Sequence, residues 1–170
     1  MSRLLAIYLN DHLAGATVGV ELARRALKEN RHNDYGQFLA TLTEEIGQDR
    51  RTLVQLMERL AIPRSKAKVQ AAWALEKLGR LKLNGRILEY SPLSRLIELE
   101  GLAAGIDAKR AMWLSLLQIR ANDKRLKDFD LERLAARAED QRRRLEPHRL
   151  SAAHEALSSA DRDPTEAGSH

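Results

Sequence analysis

Cysteine is absent from this chain, which excludes disulfide bonds, thiolate metal sites and cysteine nucleophiles. Aromatic residues are scarce, with two Trp, three Tyr and two Phe, so any core must be mostly aliphatic. Four prolines and nine glycines leave few helix breakers among 170 residues, and Leu, Ala, Arg and Glu dominate. No stretch approaches the ~20 apolar residues that a membrane span needs. The apolar run within Met1 to Ala16 is short and gives way to Asn10, Asp11 and His12, unlike a secretory signal. Charge of a single sign is lacking too: 29 basic residues against 24 acidic ones give +5. That mild, mixed balance implies no nucleic-acid partner by itself. The expectation is one cytoplasmic domain with a tail, large enough to bury a core.

What the chain does have is helical periodicity. At about 100° per residue, apolar positions gather on one face of four long segments. The first runs from about Arg3 to Lys28, with Leu5, Leu9, His12, Leu13, Ala16, Val20, Ala23 and Leu27 on its face. Gly15 and Gly19 edge that face, which suggests close approach of a neighbouring helix or a bulky side chain. Arg31 to Asp34 is a polar turn, with Asn33 as the expected N-cap of a second helix reaching about Leu60. Its face is Phe38, Leu39, Leu42, Ile46, Asp49, Leu53, Leu56, Met57 and Leu60.

A connection over 61–91 follows. Ser65 to Lys82 reads as helical, and Asn84-Gly85 is a turn signal. A small β-hairpin around that turn carries less weight than an irregular loop. Ser91-Pro92 is a strong helix start, as N-cap and first turn. The third long helix extends to about Arg120, with Leu93, Leu96, Ile97, Glu100, Ala104, Asp107, Ala111, Leu114 and Gln118 on its expected face. Leu99, Leu102 and Trp113 form a second apolar side, which the connecting segment is expected to cover. The fourth helix begins near Asp128, with Leu131, Leu134, Ala138, Leu145, Ala152 and Ala156 on its face. Pro147 is expected to kink or restart it. The tail over 158–170 reads as disordered.

Short connections within each pair of helices and one long crossover between the second and third make an all-α, ferritin-like four-helix bundle the expected fold. The stretch Thr43-Glu44-Glu45-Ile46-Gly47-Gln48-Asp49-Arg50 resembles the second-helix motif region of small bacterial ferritin-like proteins, and Glu139-Asp140-Gln141-Arg142 resembles the fourth-helix counterpart. The resemblance covers about residues 3 to 157. It implies a Glu on each of two helices and Glu-x-x-His on the other two, holding two iron or manganese ions. This chain departs from that pattern. No Glu-x-x-His occurs in it. Gln48 stands at the matching position after Glu45, with Asp49 one step beyond, and Arg142 stands at the matching position after Glu139. His12 replaces the first-helix Glu, and only Glu100 matches a conventional ligand in a conventional place.

Asp49, Glu100 and Asp107 fall mid-stripe, Glu45 lies at a stripe edge and His12 mid-stripe, so something must neutralise buried charge. Two readings stay open. In one, His12, Glu45, Asp49, Glu100 and Asp107 hold a metal; carboxylates suit manganese, iron or magnesium, and the His adds zinc. In the other, Arg142, at one flank of the fourth helix's apolar face with Gln141 at the other flank, is the internal cation and pairs with Glu100, Asp49 or both. The second is preferred, because a cation stands where the resemblance puts a ligand. His148 and His154 read as surface histidines. Arg142-Arg143-Arg144 lies among Glu139, Asp140 and Glu146, which reads as a solvated face rather than a phosphate site. Trp73 and Trp113 read as packing residues.

The expected role is non-enzymatic: a degenerate ferritin-like protein with an Arg-neutralised polar core, working through protein–protein contacts, as a homodimer. The alternatives are an iron- or manganese-binding protein of the same fold in stress response, and a basic helical module for RNA or another anionic partner.

Overall fold

A computed structural model describes residues 3–64 and 90–158 of the chain. Four long helices account for most of them: α1 Arg3–Asn30, α2 Gly36–Arg59, α3 Pro92–Ile119 and α4 Leu131–Ser158. A short 3-10 helix, Lys124–Asp128, precedes α4. Among the described residues there is no strand, and no helix is long and apolar enough to cross a membrane. The helix and turn expected over Ser65 to Tyr90 lie almost wholly outside the described residues, as does the tail from 159 onward.

Local chemistry sets the helix ends. In the first turn, Asn33 Oδ1 accepts from Tyr35 N at 3.0 Å. A Cβ at Gly36 would sit 2.7 Å from Arg31 O and 2.8 Å from Asn30 O, so this tight turn requires glycine. The Asn33 side chain thus organises the turn rather than capping α2 directly; Tyr35 holds the N-cap position. α2 ends in a Schellman pattern: Ile62 N donates to Met57 O at 2.9 Å and Ala61 N to Glu58 O at 3.0 Å. Ala61 occupies its left-handed position, with φ of 55°. Ser91 caps α3 as expected, its Oγ accepting from Ser94 N at 3.2 Å with Pro92 in the first turn. Asp130 Oδ1 accepts from Arg133 N at 3.0 Å ahead of α4. That helix continues through Pro147 without a restart.

The core consists of two apolar clusters. One joins Val20 and Ala23 of α1, Leu39 and Leu42 of α2, Leu96 to Ile106 of α3, and Leu145 and Ala152 of α4. The other joins Leu9 and Leu13, Leu53 to Leu60, Met112 to Leu116, and Leu131 and Ala135. Early α2 and early α3 therefore lie at the same end. Those two helices run in one direction, and α1 and α4 run in the other. Backbones approach closely for α1 with α2, α3 with α4, and α1 with α3. α2 reaches α4 largely through long polar side chains, as described below.

The inward face of α3 differs from the expected one. Leu99, Leu102, Ile106 and Trp113 fill the core, whereas Leu93 and Leu114 are exposed. Glu100 and Asp107 point outward with side chains 53% and 58% exposed. The helix carries apolar residues on two sides, so its hydrophobic pattern alone did not fix its rotation. The side assigned to the connecting segment is the one the bundle buries.

Candidate functional site

Between the two apolar clusters lies a polar layer centred on Asp49, whose side chain is 3% exposed. Asp49 Oδ2 accepts from Lys109 Nζ at 2.5 Å and from Gln141 Nε2 at 3.1 Å. Its Oδ1 accepts from Arg137 Nη2. Lys109 Nζ also donates to Gln141 Oε1 at 2.5 Å. Arg137 Nη1 reaches Gln48 Oε1 at 3.2 Å. Helices α2, α3 and α4 each contribute to this layer. Gln141 is fully buried. Burial pushes the Lys109 ammonium below the usual lysine range, with the Asp49 charge opposing the shift.

Of the four residues expected to form a buried polar network, Asp49 and Gln141 lie together in this layer, while Arg142 and Glu100 lie outside it. Arg142 points to the surface, pairing with Glu146 at 2.5 Å and Asp107 at 3.3 Å. Those two acids raise its already high pKa, Glu146 chiefly. Glu100 joins no part of the layer and pairs with Arg149 at 3.7 Å. Lys109 and Arg137 take the role assigned to Arg142. Lys109 lies three residues from both Ile106 and Met112, on the stripe of α3 that is buried; once that rotation is known, the lysine is conspicuous.

The five residues considered as metal ligands are dispersed. Glu45 is held by Arg144 at 2.7 Å. Asp49 gives both oxygens to protein donors, Glu100 and Asp107 are exposed beside arginines, and His12 sits on α1 against the Tyr8 ring, centroids 4.5 Å apart. Among the described residues no three His, Asp or Glu side chains form a metal-holding group. This donor set does not fit a di-metal site, because its members do not converge and its buried carboxylate is engaged by Lys109, Arg137 and Gln141. The arginine run is likewise occupied: Arg143 pairs with Asp140, and Arg144 with Asp140 and Glu45. His148 is not a free surface histidine. It stacks on Phe38 with centroids 4.1 Å apart, and burial lowers its pKa. His154 is exposed, as expected.

Beside the polar layer, a pocket of about 340 Å³ opens between α1 and α3. Tyr8, His12, Gly15, Ala16 and Gly19 wall it on one side, Gly101, Gly105, Lys109, Met112 and Trp113 on the other, with Asp49 and Leu53 from α2. A Cβ added at Gly15, Gly19 or Gly105 would meet no atom within 4 Å. Gly15 and Gly19 therefore border open space and do not serve a close helix approach. Gly101 is the exception, since a Cβ there would lie 2.9 Å from Leu22 Cδ2. Burial lowers the His12 pKa, partly offset by neighbouring Asp11.

A second buried network sits at the opposite end and went unnoticed in the sequence. Fully buried Asn30 donates to Tyr90 Oη at 2.7 Å and accepts from Arg95 Nε at 2.6 Å. Tyr90 donates to Glu98 Oε2 at 2.9 Å, and Glu98 pairs with Arg25 at 2.8 Å. Burial, more than the adjacent Glu98 charge, pushes the Tyr90 hydroxyl far above its usual pKa. Arg95 bridges to Glu155, which also accepts from Tyr35 Oη at 2.6 Å. These residues tie together the ends of α1, α3 and α4. Comparison of the chain with protein-family models, with curated proteins and with solved structures finds no match.

Proposed function

We propose that this protein is a non-enzymatic, ferritin-like helical bundle in which protein cations stand where the resemblance places metal ions, and that it acts by binding rather than by catalysis. The observation that carries this reading is the engagement of both Asp49 oxygens by Lys109, Arg137 and Gln141. A carboxylate whose charge is already met by two protein cations gains little from a metal and is a poor general base. The ferritin-like topology is supported by the parallel course of α2 and α3, with the end of α2 and the start of α3 at opposite ends of the bundle. Binding through a surface is supported by Leu150 and Leu157, seven apart on one side of α4 and 54% and 64% exposed. A homodimer through this stretch is the form we favour.

Elemental analysis of tag-free protein prepared without chelator tests the core of the reading. The expected result is no stoichiometric iron, manganese or zinc, and no rise in melting temperature when iron or manganese is added. A bound equivalent that disappears in Asp49→Asn would overturn it. Sedimentation of the native chain and of Leu150→Glu/Leu157→Glu tests the dimer, which only the native chain is expected to form.

A further inference from the structure

We propose that the pocket between α1 and α3 is a binding site for a small apolar molecule bearing one carboxylate. This goes beyond the proposed function and rests on separate observations. The pocket's volume falls within the range typical of small-molecule sites, about 300–1,000 Å³, and its walls are mostly apolar side chains and glycine backbone. Its space is created by Gly15, Gly19 and Gly105, where added side chains would meet nothing. Two donors at its lining lack acceptors among the described residues. The indole N–H of Trp113 is buried and has no hydrogen-bond partner, although buried Trp N–H groups usually find one. The Lys109 ammonium has three protons, of which Asp49 and Gln141 accept two.

Charge points the same way. The polar layer holds two cations, Lys109 and Arg137, against the single carboxylate of Asp49. Glu45, the next acid along α2, is taken by Arg144. A positive surplus in a mostly buried layer is costly, and a ligand carboxylate at Lys109 would balance it. Asp11 and Arg50, which also border the pocket, are of opposite sign and leave that surplus unchanged. The apolar body of the ligand would lie along the glycine-lined walls.

Titration calorimetry of the full chain with decanoate, and with 1-decanol as the uncharged match, tests the site. Decanoate is expected to bind stoichiometrically and more tightly than decanol. Gly105→Leu, whose side chain starts in open space, is expected not to lower the melting temperature of the unliganded protein and to weaken decanoate binding by about tenfold or more. Trp113→Phe, which keeps an aromatic ring but removes the N–H, is expected to weaken it about fivefold. Equal affinity for decanol and decanoate would overturn the anionic half of the proposal. Absence of binding would overturn all of it. So would a lowered melting temperature in unliganded Gly105→Leu, which would mean that the space is already occupied.

Discussion

Lys109 and Asp49 meet at 2.5 Å in the middle of the bundle, joined across sixty residues of sequence, and Arg137 holds the other oxygen of the same carboxylate. The three charges are unequal in what their loss leaves behind. Removing Asp49 leaves two cations facing each other in a mostly buried layer. Removing Lys109 leaves a neutral Asp49–Arg137 pair.

Asp49→Ala is therefore expected to destabilise the fold by about 3–5 kcal/mol, the range for breaking a buried ion pair. Lys109→Met, which keeps much of the side chain's bulk, is expected to cost far less. Arg142→Ala, at a partly exposed surface pair, is expected to cost under about 1 kcal/mol. Urea unfolding of the three variants checks the order. Equal losses for Asp49→Ala and Arg142→Ala would contradict the assignment of the internal cations.

Ala61 carries a positive φ at the end of α2. A non-glycine residue there costs about 1–2 kcal/mol. Ala61→Gly relieves that strain but enlarges the freedom of the unfolded chain, a partial offset. A net gain of about 1 kcal/mol is expected, which for a domain of this size raises the melting temperature by about 2–4 °C. Calorimetry of the variant gives the answer directly.

The pKa of His12 is lowered by burial. As pH falls below its ordinary value of 6.5, the unfolded chain takes up a proton that the folded one resists, so stability drops as pH falls toward the depressed folded value. His148 acts in the same direction. His12→Gln is expected to remove part of this acid-side loss while changing stability little at pH 8. Melting curves from pH 8 to pH 5 test it; an unchanged slope would show that His12 titrates normally.

Asn30 serves Tyr90, Arg95 and the Ala26 carbonyl at once. Asn30→Ala leaves buried partners unsatisfied and is expected to cost about 1–3 kcal/mol. Hydrogen exchange at the amides of early α3 is expected to quicken in this variant more than exchange in late α2.

Much of the architecture is legible in the sequence. Helix boundaries follow from local chemistry, as the Ser91-Pro92 start shows, and α1 and α2 carry single apolar stripes that fix their rotation. Asp49 stands out because it interrupts such a stripe, and Gln141 flanks another. α3 is different. With apolar residues on two sides, its pattern admits more than one rotation, and that choice decided whether Glu100 and Asp107 or Glu98 and Lys109 turned inward. Lys109 and Arg137 escaped notice because charge pairing is a three-dimensional relation among helices, whereas periodicity is a property of one helix. The pocket had a partial signal in Gly15 and Gly19, since spare glycines mark either a close approach or an opening. Only the positions of neighbouring atoms separate the two.

The polar layer also fixes how the helices align along the bundle axis. Aliphatic stripes of Leu and Ala tolerate a slip of one helical turn, about 5.4 Å, because one leucine replaces another. Asp49 tolerates no such slip. Displacing α3 by a turn would take the Lys109 ammonium away from both Asp49 and Gln141 and leave it without its partners. An otherwise repetitive core thereby acquires a notch, and that notch gives α2, α3 and α4 one register.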